Sequence, residues 1–150
     1  MSAHTTADDE GEHPRVFVSD RQEQPVDGRA LADLAASTLA AEGIGRAELS
    51  LSFVDEQEMT GLHERYMQEA GPTDVLSFPL DDVVEGVRVL GDVVIAPSVA
   101  ARNNPGDPGG ELRLLVVHGV LHVLGYDHER ADERAEMWAR QQRYSGVTAP

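Results

Sequence analysis

The 150-residue chain has no cysteine and no lysine. Without cysteine there are no disulfides and no thiolate metal ligands, which fits a reducing compartment. Without lysine, all twelve positive side chains are arginine; they face 27 acidic residues, for a formal net charge of −15. Uniform use of Arg is what a GC-rich coding sequence produces. So acidic a chain argues against non-specific nucleic-acid binding, which depends on basic surface. An RNA substrate would have to be held by a local Arg cluster and a metal. No apolar run approaches the length of a membrane span. Met1 to Glu12 has no apolar stretch of the kind a signal peptide needs. The expectation is a soluble, cytoplasmic protein with no membrane or DNA partner. At 41% hydrophobic residues, the length suffices for one domain with a real core and not for two.

Histidine is where the chain concentrates chemistry. Three of its six histidines fall in His118-Gly-Val-Leu-His122-Val-Leu-Gly125-Tyr-Asp-His128. On a helix, positions i and i+4 share a face, so His118 and His122 can aim two imidazoles at one point. Gly125 can leave the helix through a left-handed turn and return His128 to the same point. Three neutral imidazoles with a fourth position open to water suit one zinc ion per chain. The spacing is that of the long zincin motif with one change: the Glu that serves those peptidases as general base is Gly119 here. Asp127 is a candidate for proton handling, and more readily for orienting a ligand imidazole. Glu129 and Arg130 read as a solvated turn, and Arg113 points away from the ligand face.

Residues 1–13 read as a disordered acidic tail and 14–150 as the domain; His4 and His13 carry no role. Arg15–Ser19 reads as a strand. A helix over Gly28–Glu42 is capped by Asp27 and ended by Gly43. Glu48–Val54 alternates as a strand. Asp55 opens a second helix that runs to about Met67. Gly71-Pro72 breaks the chain, Thr73–Phe78 is a strand ended by Pro79, and Asp81–Arg88 is an acidic loop or hairpin. Val89–Ala96 is apolar enough to be a central strand. Pro97 opens a short helix to about Arg102, and Asn103–Gly110 is a loop. Glu111–Leu124 is the buried histidine helix, and Ala131–Tyr144 a charged amphipathic one. The fold class is α+β (α/β-like): a small mixed sheet of about four strands with helices packed on it, the histidines on a zincin-like helix. Asp74 has two open readings, closing a turn after Pro72 or lining a substrate cleft. Asp92 reads as a structural brace for a turn or for the histidine helix, and His63 as a solvated helix residue.

The histidine block, together with Pro72-Thr-Asp-Val-Leu-Ser-Phe-Pro79 and Leu90-Gly-Asp-Val-Val-Ile95, resembles the YbeY family of bacterial endoribonucleases over roughly residues 15–145. The resemblance implies a zinc-dependent, single-strand-specific hydrolase of RNA, acting in small-subunit ribosomal RNA maturation and ribosome quality control. A ribosomal protein or GTPase partner is implied by the resemblance alone. It also implies His118, His122 and His128 as the metal ligands. Many members carry an Arg where Met67 stands here; Arg65, two residues earlier, is the candidate to replace it. Two other readings remain open at this point. One is a zinc peptidase, which Gly119 disfavours. The other is a non-catalytic assembly factor stapled by zinc, which a three-ligand open site disfavours.

Overall fold

The computed structural model describes residues 13–127 and 130–147. Of the expected acidic tail only His13 is among them, and His128 and Glu129 lie outside them. In chain order the elements are β1 (Arg15–Arg21), α1 (Gly28–Ala41), β2 (Ala47–Val54), α2 (Glu56–Met67), β3 (Val75–Val84), β4 (Val87–Ile95), α3 (Pro97–Asn103), α4 (Pro108–Val123) and α5 (Ala131–Ser145). The four strands form one mixed sheet in the order β1-β2-β4-β3, parallel except for the antiparallel β3–β4 pair. The α+β expectation and the strand count hold.

The period-2 pattern of β2 explains how the sheet is covered. Leu49, Leu51 and Phe53 are buried on one face, while Ser50 and Ser52 alternate on the other. The buried face meets α1 through Leu31, Ala35 and Leu39 and α4 through Leu112, Leu115, Val116 and Val120. The other face carries a smaller apolar cluster, in which Met59 and Leu62 of α2 and Val99 of α3 meet Val54, Leu76 and Val94. α5 lies outside the sheet, with Met137 against Val117 and Leu121 of α4. Three of the five helix starts follow local chemistry: Asp27, Asp55 and Asp107 accept from the backbone N–H three residues on.

Three expectations about elements need correction. Pro79 does not end a strand. β3 runs through it to Val84, because β3 is an edge strand and Pro79 sits beside a register shift, where a missing N–H breaks no ladder. The residue opposite is Gly91, at φ +143°, where a Cβ would fall 2.2 Å from the Phe78 carbonyl oxygen. The histidine helix begins at Pro108 rather than Glu111. Asp107 caps it and Pro108 occupies its first turn, where no N–H is needed. Asp92 does not brace that helix. Its neighbour Val93 faces α4, so Asp92 points to the opposite sheet face and is exposed.

Candidate metal centre

α4 is buried almost all round, and His118 and His122 are half-buried where it meets solvent. Their ring centroids lie 4.5 Å apart at an interplanar angle of 69°, so the i, i+4 spacing places two imidazoles side by side. The helix ends as a Schellman motif. The Gly125 N–H donates to His122 O and the Tyr126 N–H to Leu121 O, both at 3.0 Å, with Gly125 at φ +102°. The chain therefore turns at Gly125, as the motif requires, toward Asp127, which is half-buried. His128 lies beyond the described residues.

Helix and sheet approach very closely at Gly119. A Cβ there would sit 2.5 Å from Val93 Cγ1, and the Gly119 carbonyl accepts from Ser77 Oγ at 3.2 Å. Ser77 of β3 is thereby assigned to docking α4. Asp74, just before β3, ties that strand to α3: its carboxylate accepts from Asn103 Nδ2 at 3.2 Å and its carbonyl from the Ala96 N–H at 2.9 Å. Burial, and then the Asp74 charge, hold the Glu111 carboxyl above its ordinary value.

Two arrangements around the pair had no signal in the histidine motif. His118 Nδ1 lies 2.5 Å from Oε1 of Gln141, on α5. The burial of Gln141 had a signal, since Met137, Gln141 and Ser145 recur at i, i+4 and i+8 on one face of α5; its partner had none. The second arrangement centres on Glu42, just past α1. Its carboxylate accepts from Tyr126 Oη at 2.5 Å, from Arg140 Nη1 at 2.6 Å and from Tyr144 Oη. Burial alone would raise the Glu42 carboxyl, but these hydrogen bonds and the Arg140 charge outweigh it and bring it below its ordinary value. Burial, followed by the bond to Glu42, pushes Tyr126 up to about 12. The turn leading from α4 to Asp127 is thus tied to the end of α1 through Tyr126.

The remaining candidates have other partners or surroundings. Arg65, in the last turn of α2, has its guanidinium 6.0 Å from the Tyr66 ring centroid. Met67 is 42% exposed at the end of that helix. Arg130 is exposed, 3.6 Å from Asp132. Arg113 donates to Ser145 O on α5. His63 is not solvated as expected. The chain reverses at Gln68 and folds back over it, so His63 Nδ1 meets Gly71 O at 2.9 Å and Nε2 meets Glu69 at 3.1 Å.

A family model described as Endoribonuclease YbeY matches residues 17–147. The chain belongs to the YbeY family. It is 51% identical over 109 residues to the endoribonuclease YbeY of Acidothermus cellulolyticus, covering 63% of this chain and 66% of that one. It is 45% identical over 139 residues to that of Thermobifida fusca, covering 84% and 88%. The solution structure of TM1509 from Thermotoga maritima superposes with a TM-score of 0.57 at 27% identity, covering 87% of this chain and 86% of that one. The family match includes the histidine block and the Pro72–Pro79 block.

The described part of the expected donor set, two imidazoles, is of a ligand type that zinc takes. Both described imidazoles lie on one helix face, and His118 Nδ1 lies against Gln141 Oε1. Among the described residues there is no cluster of three His, Cys, Asp or Glu side chains, and the third expected ligand, His128, lies outside them.

Proposed function

We propose that this YbeY-family chain is a zinc-dependent, single-strand-specific endoribonuclease that matures small-subunit ribosomal RNA in the cytoplasm. The observation that carries this reading is the His118–His122 pair on the buried helix of a chain that the family model matches over residues 17–147. His118, His122 and His128 would hold one zinc through imidazole nitrogens. Bound zinc supplies a nucleophile near neutral pH and a Lewis acid for phosphoryl oxygen. The protein's own residues do the rest. Tyr126, fixed by Glu42, anchors the turn that leads to Asp127, and Asp127 would orient an imidazole or hold a proton. Arg65, exposed at the end of α2, is the cation available to a backbone phosphate in place of the Arg that Met67 replaces.

Gly119 weighs against a peptidase. Amide hydrolysis needs a general acid for a poor leaving group, and Val93 occupies the space into which a zincin Glu would have to project. The relatives' shared description as endoribonucleases weighs against a purely structural zinc.

Metal analysis should find about one zinc per chain, lost in His122→Ala. The zinc-loaded protein should cut a single-stranded region of small-subunit ribosomal RNA weakly and leave peptides intact. His118→Ala and His122→Ala should abolish cutting. Met67→Arg should raise the rate, since a cation at developing negative charge commonly contributes a few kcal/mol. RNA left intact by both the loaded wild type and Met67→Arg would sink the nuclease reading.

A further inference from the structure

A polar side chain that touches His118 comes from α5. Gln141 is only 8% exposed, on a helix whose other polar residues are mostly solvated. Its Oε1 lies 2.5 Å from His118 Nδ1. The helix around it is seated on the turn that carries His118. Met137, one turn before Gln141, packs against Val117 and Leu121, which flank His118 on α4. One turn after Gln141, Ser145 Oγ donates to the Gln141 carbonyl at 2.5 Å, and the Ser145 carbonyl accepts from Arg113 Nε of α4 at 3.3 Å. The Gln141 amide is therefore presented to one edge of the His118 ring by contacts on both sides of it.

We propose that Gln141 is a positioning residue that holds His118 in the Nδ1–H tautomer with Nε2 turned to the metal. An amide oxygen can only accept, so the ring nitrogen facing it must carry hydrogen. A neutral imidazole has one N–H and one lone pair, so the lone pair is on Nε2. The opposite tautomer would aim an N–H at the metal and remove a ligand. Residues bonded to the distal nitrogen of a ligand imidazole fix its tautomer and orientation in this way, and their loss typically costs 10–100-fold in metal affinity. The affinity consequence rests on the zinc reading above, whereas the tautomer is a property of the metal-free chain.

Long-range proton–nitrogen NMR on the metal-free, full-length protein reads the His118 tautomer, and competition against a chelating dye reads zinc affinity. Wild type should show Nδ1–H. Gln141→Met, close in shape but unable to accept at that point, should move His118 toward Nε2–H and weaken zinc about 10–100-fold. Gln141→Glu restores an acceptor and should bring both readouts back to within about threefold of wild type. A wild-type His118 found as Nε2–H overturns the proposal, and so does a folded Gln141→Met with wild-type zinc affinity. Should Gln141→Met fail to fold, the wild-type spectrum and Gln141→Glu still decide, since loss of Nδ1–H in the Glu variant would contradict it. A wild type with the Nδ1–H tautomer that takes up no zinc overturns the zinc reading and leaves Gln141 as the residue that sets the tautomer.

Discussion

A Cβ at position 119 would lie 2.5 Å from Val93 Cγ1 and 3.2 Å from Val93 Cγ2. Val93 is a fully buried, β-branched side chain on a central strand, so it has little freedom to move aside. One atom therefore decides two matters at this position. It allows α4 to approach the sheet closely enough for Ser77 to bond the Gly119 carbonyl, and it removes the peptidase base from the zincin-like spacing. Gly119→Ala should destabilise the fold by about 1–3 kcal/mol through overpacking, despite the higher helix propensity of Ala. Urea denaturation measures this, and a more stable Ala variant would mean that the helix–sheet distance is not set here. His63 gives the same lesson in the other direction. Its sequence context is that of an exposed helix, and its burial comes from the loop that folds back over it.

α4 is held at both ends by features that are local in sequence, Asp107 with Pro108 at its start and the Gly125 turn at its finish. Its middle is held by packing and by contacts from elements distant in sequence, Ser77 to Gly119 and Gln141 to His118. Glu111, in the first turn, is favoured there by the helix dipole, but burial and the Asp74 charge outweigh that and raise its carboxyl. A group whose value is raised in the folded state contributes stability that is fully present below the unfolded value, 4.5 here, and is lost as pH rises through the folded value. Glu111→Gln removes that loss. The variant should melt about 1–3 °C above wild type at pH 7 and level with it at pH 4 and below. Thermal scans at the two pH values check the sign, and a variant melting below wild type at pH 7 would show that the dipole dominates.

Across the molecule, Glu42 joins three segments distant in sequence: the end of α1, the turn after α4 through Tyr126, and α5 through Arg140 and Tyr144. Its side chain is 5% exposed. Removing the carboxylate would leave two hydroxyls and a guanidinium without their shared acceptor. Glu42→Ala should therefore cost about 2–4 kcal/mol, measured by urea denaturation at neutral pH. The Glu42 carboxyl is depressed in the folded state, so its contribution is full above its unfolded value of 4.5 and drains away as pH falls through the lower folded value. Wild type and variant should converge in stability at acid pH; a constant gap down to pH 2 would show that the charge is not what the network uses.

The elements and the histidine pair were legible because their causes are local. Period-2 and helical spacing, Asp caps and the Gly125 turn act within a few residues, so β2, α1 and the shared face of His118 and His122 follow from the chain alone. What the chain could not display are partners brought together from 23 to 102 residues apart, Gln141 with His118 and Glu42 with Tyr126 and Tyr144. The continuation of β3 through Pro79 depends likewise on its place at the sheet edge, and the outward direction of Asp92 on which face α4 covers. Local sequence sets which bonds and faces each segment offers. Only packing into one sheet decides which of those faces meet, and so which polar side chains reach the imidazoles.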